Sequence, residues 1–275
     1  MTAQEALVYL EHGLGLAGSG SFKAEARTII EHVTSEPFYR LVLDDREVSE
    51  AEEDMLEQIL TKRRQEIPLQ YILGFTDFYG LKIKVSPAVL IPRQETEVLV
   101  DYIIKSAKPK KLILDIGTGS GAIALAIKSR LEGSHIVASD ISRAALRLAK
   151  QNAELLSLEI DFFQSDLLDN KELLALAAKA DIVLANLPYL PEADKKRFPL
   201  LKHEPEQALF SGKLGLDHYS RLLNELYLVI KDGALIGLEL DPRNINQAFE
   251  YASAWSKRKI VKDLLERERF LILEK

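Results

Sequence analysis

The chain predicts an α/β protein: a Rossmann-like, mainly parallel seven-stranded sheet preceded by a small N-terminal helical domain and a connecting β-hairpin. Three observations carry this expectation. From about residue 95 onward, short apolar β-type runs alternate with amphipathic helical stretches, the pattern of a parallel sheet covered by helices on both faces. Residues 1 to about 75 read as helices with their own start signals. Between them DFYGLKIKVS (Asp77 to Ser86) alternates apolar Leu81, Ile83 and Val85 with Lys82 and Lys84, as a half-exposed strand or hairpin does.

In chain order, Thr2 with Glu5 and Ser49 with Glu52 have capping-box spacing, a hydroxyl acceptor followed three residues later by a carboxylate that bonds back. Ser35-Glu36-Pro37 is a further helix start, since proline is tolerated where its missing N–H is not needed. The segment GLGLAGSGS (Gly13 to Ser21) is glycine-rich enough to predict a loop. The expected division is a helical domain over 1–75, a hairpin linker over 76–94 punctuated by Pro87 and Pro92, and a catalytic domain over 95–275. Predicted strands are KLILDI (111–116), HIVASD (135–140), IDFFQSD (160–166), DIVLAN (181–186), ALIGLEL (234–240), RKIVKD (258–263) and RFLILEK (269–275). The last two lie too close together for a helical crossover and should pair antiparallel.

Composition narrows the function classes. With 275 residues, 47% of them hydrophobic and 28% charged, the chain has material for a sizeable core, and wholesale disorder is excluded. No apolar run approaches a membrane span and MTAQEALVYLEHG has none of the features of a secretory leader, so the expected compartment is the cytoplasm, with no membrane partner. The absence of cysteine excludes disulfides, thiolate metal sites and a Cys nucleophile. The net charge of −6 is uneven: residues 1–75 hold 7 Lys and Arg against 14 Asp and Glu. So acidic a front segment repels phosphate backbones and suits a protein partner better than nucleic acid. His12, His32, His135, His203 and His218 lack metal-ligand spacing, and no metal is expected.

Two motifs carry chemistry. LDIGTGSGAIALAI sets Gly117, Thr118, Gly119, Ser120 and Gly121 directly after the first strand of the sheet and at the mouth of a helix, where glycine permits a tight turn and close approach of backbone N–H groups to a ligand. The spacing is G-x-G-x-G rather than the dinucleotide G-x-G-x-x-G. Asp115, Asp140 and Asp166 close three successive strands, and Asp140 is placed to accept both hydroxyls of a ribose. Without Lys or Arg in the loop, these acids suit a cationic nucleoside, S-adenosyl-L-methionine, better than a phosphate. An acid at a strand end often only caps the next helix, and Asp140 alone would be compatible with that role. Glycine loop and Asp140 together point to cofactor binding.

The second motif is Asn186-Leu187-Pro188-Tyr189, at the end of the fourth strand of the sheet. The Asn186 side-chain oxygen and the Pro188 carbonyl form a pair of acceptors for both hydrogens of an NH₂ group, and Tyr189 offers a ring to pack on a planar amide or base. An amide or aromatic amine nitrogen is a poor nucleophile because its lone pair is conjugated. Two acceptors that draw its hydrogens out of plane favour the pyramidal nitrogen of the transition state.

These residues, with PLQYILG (68–74), DFYGLKIKVSPAVLIPRQETE (77–97), SDIS (139–142), EPEQALFSGKLGLDHYSRLL (204–223) and KDLLERERF (262–270), make the sequence similar to the release factor glutamine methyltransferases, the HemK/PrmC family, over nearly its whole length. The resemblance implies a class I methyltransferase sheet and transfer of a methyl group from S-adenosyl-L-methionine to the side-chain amide nitrogen of the glutamine in a Gly-Gly-Gln loop of peptide-chain release factors, leaving S-adenosyl-L-homocysteine. It implies that Gly117 to Gly121 and Asp140 hold the cofactor, with Leu167, after Asp166, near the adenine. It further implies that Asn186, Leu187, Pro188 and Tyr189 hold the glutamine amide, that Asn186 also touches the methionine portion, and that the helical domain contacts the release factor. The chain departs from the family's N-P-P-Y at Leu187, and has Gln94 where proline is commoner in IPRQETE. An apolar residue at position 187 is also typical of ribosomal RNA adenine dimethyltransferases, so an RNA adenine-N6 methyltransferase stands as the alternative, and a catalytically silent module with the same fold is a second.

Overall fold

The computed structural model describes residues 1–15, 22–106, 111–197 and 199–275. The chain divides into two compact units, Met1–Gly74 and Phe75–Lys275.

The first unit is helical: α1 (Ala3–Gly15), α2 (Phe22–Thr34), α3 (Phe38–Leu43), α4 (Glu50–Arg64) and α5 (Leu69–Leu73). Both capping boxes form. The Thr2 N–H donates to Glu5 at 2.8 Å while the Glu5 N–H returns to Thr2 Oγ1 at 3.2 Å, and Ser49 and Glu52 do the same at the start of α4. Pro37 is the N-cap of α3, one step earlier than a first-turn proline. Leu10, Leu14, Ile29, Ile30, Leu41, Leu56 and Leu60 form the unit's own core. Gly13 to Gly15 complete α1 instead of starting a loop, and the packing supplies the reason: a Cβ on Gly13 would lie 2.5 Å from Leu60 Cδ2, so glycine is what lets α4 press onto α1. The rest of the expected loop, residues 16–21, lies outside the described residues.

The second unit opens with the hairpin β1 (Phe75–Phe78) and β2 (Leu81–Lys84), turned by Tyr79 at φ 52° and Gly80 at φ 76°. Successive positive φ values match the strand twist of a tight hairpin. The hairpin is more than a linker: Phe78 and Ile83 are buried in the second unit's core. There follow α6 (Thr96–Ser106), β3 (Leu112–Ile116), α7 (Ala122–Arg130), β4 (His135–Asp140), α8 (Arg143–Leu156), β5 (Asp161–Gln164), α9 (Lys171–Ala177), β6 (Ile182–Ala185), α10 (Asp217–Val229), β7 (Leu235–Glu239), α11 (Ile245–Tyr251), β8 (Lys257–Lys262) and β9 (Glu268–Glu274). Three short 3-10 turns, Glu192–Lys196, Pro199–His203 and Glu206–Ala208, lie between β6 and α10.

Seven strands form one sheet in the order β5-β4-β3-β6-β7-β9-β8. The first five are parallel, and β9 pairs antiparallel with both β7 and β8. Strands β3, β6 and β7 are almost wholly buried, as strands with helices on both faces must be. One hydrophobic cluster lies on each face of the sheet's centre, Leu114, Val183 and Ile236 in one, Ile113, Ile182 and Leu184 in the other. The alternation of neighbouring residues between the two clusters follows from the two-residue period of a strand.

Candidate active site

The chain runs outward from β3 through β4 to β5, then returns to the other side of β3 as β6. That reversal opens a crevice at the carboxyl ends of β3 and β6, the place where open α/β sheets bind ligands. A cavity of about 260 Å³ lies there. Of the residues singled out from sequence, Gly117, Thr118, Gly119, Ser120, Asp140, Asp166, Leu167, Asn186, Leu187 and Pro188 line it, whereas Asp115, Gly121 and Tyr189 do not.

The glycine loop is held from three sides. The N–H groups of Gly117 and Thr118 both donate to the Ser139 carbonyl at 2.8 Å. The Gly119 N–H donates to Asp140 Oδ2 at 2.9 Å. Asn152 on α8, 1% exposed, donates to the Ser120 carbonyl at 2.9 Å and exchanges two hydrogen bonds with the Lys84 backbone, joining the loop to the hairpin. Gly117 has φ 77°, and a Cβ there would come within 2.6 Å of Leu187 Cδ2, so the backbone conformation and the space both call for glycine. Gly121 has a packing task instead: it begins α7 where a Cβ would stand 3.2 Å from that of Ala149 on α8.

The three acids have different situations. Asp140, which lines the cavity, accepts at Oδ2 from the Gly119 N–H at 2.9 Å and at Oδ1 from the Ser142 N–H at 2.8 Å, and a carboxylate oxygen can accept more than one hydrogen bond. Burial raises its carboxyl above the usual range. The cap of α8 is Ser142, not Asp140. Asp166 lies past the end of β5 and pairs with Arg221 at 3.1 Å. Leu167 holds φ 50°, a conformation costly for a bulky side chain.

Asp115 stands behind the loop, 1% exposed, because β3 runs one residue further and Thr118 folds back to donate to its Oδ2 at 2.6 Å. Burial is the main reason that its carboxyl is pushed up to about 7, and the Asp140 charge adds to this. A carboxyl whose pKa is higher folded than unfolded binds its proton more tightly in the native state. Its contribution to stability is therefore present below about pH 4 and is lost as pH rises toward 7. Asp115→Asn should gain on the parent chain as pH rises from about 4 to about 8, by about 1.4 kcal/mol per unit of displacement. Chemical denaturation across that range measures it, and a pH-independent difference between the two chains would contradict the assignment.

Asn186 follows β6 directly. Its Nδ2 donates to Thr96 Oγ1 at 3.3 Å, while its Oδ1 is buried with no hydrogen-bond partner among the described residues. A buried acceptor left unmatched costs stability. Leu187 is 5% exposed and uses the N–H that a proline would lack, donating to Tyr219 Oη at 2.9 Å. Tyr219 in turn lies within hydrogen-bonding reach of the Glu239 carbonyl. Residue 187 is thereby tied to β7 through a side chain on α10.

Tyr189 faces elsewhere. Asn244 donates to the Tyr189 carbonyl at 2.9 Å, and Leu190 forms a bridge with Phe210. Tyr189 lines a neighbouring cavity of about 380 Å³, which shares Leu90, Arg93 and Ala208 with the first. Burial holds its phenol above the usual range.

Other residues at the first cavity went unassigned in the sequence, among them Pro92, Arg93, Thr96, Phe210 and His218. Three of these belong to IPRQETE, so the motif itself was the available signal. Glu204, 6% exposed, accepts from the Ile91 N–H at 3.2 Å and from Arg93 at 2.5 Å, and so fixes that segment. Lys195 pairs with Glu192 and Glu206, each at 2.9 Å.

Comparisons with known proteins bear on the family and the fold. A family model described as "PrmC N-terminal domain" matches residues 5–74, and one described as "Methyltransferase small domain" matches residues 93–202. A release factor glutamine methyltransferase of Deinococcus radiodurans is 32% identical over 276 residues, covering 98% of each chain. Another from Streptococcus pneumoniae is 39% identical over 201 residues, covering 72% of this chain and 70% of its own. A solved methyltransferase from Pyrococcus furiosus superposes with a TM-score of 0.53 at 19% identity, over 78% of this chain and 98% of that one, which speaks for the fold alone. On identity sustained over the full length, the chain belongs to the release factor glutamine methyltransferase family and is an S-adenosyl-L-methionine-dependent protein-glutamine methyltransferase.

Proposed function

We propose that the chain methylates the N5 side-chain nitrogen of the glutamine in the Gly-Gly-Gln motif of peptide-chain release factors, with Asn186 and Pro188 holding the amide. The observation that carries this reading is the unpartnered, buried Oδ1 of Asn186, a residue that with Pro188 and the glycine loop lines one cavity.

The residues present suit S-adenosyl-L-methionine. Asp140 has acceptor capacity for two ribose hydroxyls, Ile141 and Leu167 supply apolar walls for an adenine, and the glycine loop carries no cation to repel a sulfonium. When bound, the cofactor supplies an electrophilic methyl group on a positively charged sulfur. Asn186 Oδ1 and the Pro188 carbonyl each accept one hydrogen of the glutamine NH₂, which orients its nitrogen and favours the pyramidal geometry of the transition state. The nitrogen needs no strong base beforehand, because its proton becomes acidic only as the new bond forms. Tyr189, in the adjoining cavity, suits contact with the peptide flanking the glutamine, in place of stacking on the amide itself.

The helical unit is the proposed dock for the release factor. Its surface is acidic, and it exposes Val8, Tyr9, Tyr39 and Leu43, with Leu43 at 78% and Val8 at 65%. Among the described residues no helix is long and apolar enough to cross a membrane.

Incubation with labelled methyl donor and either a release factor or ribosomal RNA separates the readings. Label should appear on the glutamine of the release factor and vanish when that glutamine is changed to alanine. Label in RNA adenine would favour the alternative.

A further inference from the structure

The side chain of an asparagine is nearly symmetric in shape and opposite in chemistry at its two ends, so a clamp built on Asn186 works only if something fixes which end faces the glutamine. Asn186 after β6, Thr96 at the start of α6 and Glu239 at the end of β7 meet at the carboxyl edge of the sheet. Glu239 is 0% exposed and Thr96 3%. Thr96 Oγ1 lies 2.6 Å from Glu239 Oε2, and Asn186 Nδ2 lies 3.3 Å from Thr96 Oγ1.

We infer that Thr96 and Glu239 are positioning residues that set the amide orientation of Asn186, a hydrogen-bond chain whose single permitted direction turns the Asn186 oxygen toward the substrate. The inference rests on the proposed role of Asn186 as a clamp for the glutamine amide. An ionised carboxylate only accepts, so the one hydroxyl hydrogen of Thr96 goes to Glu239. The Thr96 oxygen then presents lone pairs to Asn186 and demands a donor there, which is the NH₂ end. Oδ1 is left as the free end of the amide, with no hydrogen-bond partner among the described residues.

Protonation of Glu239 reverses the chain. The acid then donates to Thr96, the freed hydroxyl hydrogen points at Asn186 and calls for its oxygen, and the NH₂ end turns outward to meet another NH₂ group. Arg93 and Arg269 favour the ionised form of Glu239 and Glu95 opposes it; Tyr189 and Tyr219 face it as neutral phenols. Burial dominates and pushes this carboxyl up to about 7, so the reversal falls in a measurable range. The sign is fixed: the working direction holds above that value and is lost below it.

The test is the pH profile of kcat and KM for the full-length protein, from about pH 5.5 to about 9, with saturating S-adenosyl-L-methionine and varied release factor. Thr96→Val, of the same shape, should lower kcat by about tenfold, the scale of one oriented hydrogen bond, with KM and cofactor affinity within about twofold. Thr96→Ser should restore most of the rate. The parent chain should lose kcat through one protonation near pH 7, and Glu239→Gln, whose side chain does not titrate, should show no such limb. Thr96→Val at the parent rate, or Thr96→Ser as slow as Thr96→Val, would overturn the inference. Should Thr96→Val not fold, the limb decides: its absence from the parent chain, or its persistence in Glu239→Gln, is equally contrary. An inactive Asn186→Ala beside a fully active Thr96→Val rejects the positioning role alone, whereas a fully active Asn186→Ala rejects the clamp beneath it.

Discussion

Asn186→Ala is expected to lower turnover by about 10²-fold or more, the scale seen when a preorganised polar contact to a transition state is removed. The substitution takes away the Asn186 Oδ1 acceptor, which is buried without a hydrogen-bond partner among the described residues. A glutamine nitrogen in water has its lone pair spread into the carbonyl, and an acceptor already in place spares the reorganisation that solvent would need. Cofactor affinity should change little, since Asp140 and the glycine loop are held by bonds that do not involve Asn186. Single-turnover rates with saturating release factor, beside calorimetric titration of the methyl donor, separate the two quantities. Turnover within about threefold of the parent chain would remove Asn186 from the chemistry.

Deletion of residues 1–74 is expected to raise the KM for an intact release factor by at least about tenfold, with much less effect on S-adenosyl-L-methionine binding. The break falls where the chain divides into two units, each with a core of its own. A decrease of about 1.4 kcal/mol in docking energy already accounts for a tenfold change, and a modest interface supplies more. Circular dichroism and cofactor titration check that the shortened chain is folded. Equal weakening of cofactor and release factor would argue that residues 1–74 support the catalytic unit instead of holding the substrate.

The fold was largely legible because its signals are local. Alternation and run length located all seven strands of the sheet, and the short spacing before RFLILEK fixed the antiparallel pairing of β8 and β9. The helical reading failed at Gly13, where composition pointed to a loop and the close approach of Leu60 keeps the glycine within α1. No local signal announces such tertiary packing. Asp140 and Asn186 were legible as strand-end residues, and both line the cavity at the carboxyl edge of the sheet. Asp115, the penultimate residue of β3, lies outside the lining of the first cavity with its carboxyl bonded to Thr118, and Tyr189 lines the adjoining cavity, and neither placement is announced by a position near a strand end. Thr96 and Glu239 lie 143 positions apart in the chain, and only the sheet brings them together.

The most direct measurement is a structure of the protein with S-adenosyl-L-homocysteine and a release-factor fragment carrying the glutamine. Asn186 Oδ1 and the Pro188 carbonyl oxygen should each lie within about 3.2 Å of the glutamine side-chain nitrogen, with that nitrogen facing the sulfur. A glutamine amide bound with its NH₂ group away from both oxygens, or an Asn186 whose NH₂ end faces the substrate, would contradict the account.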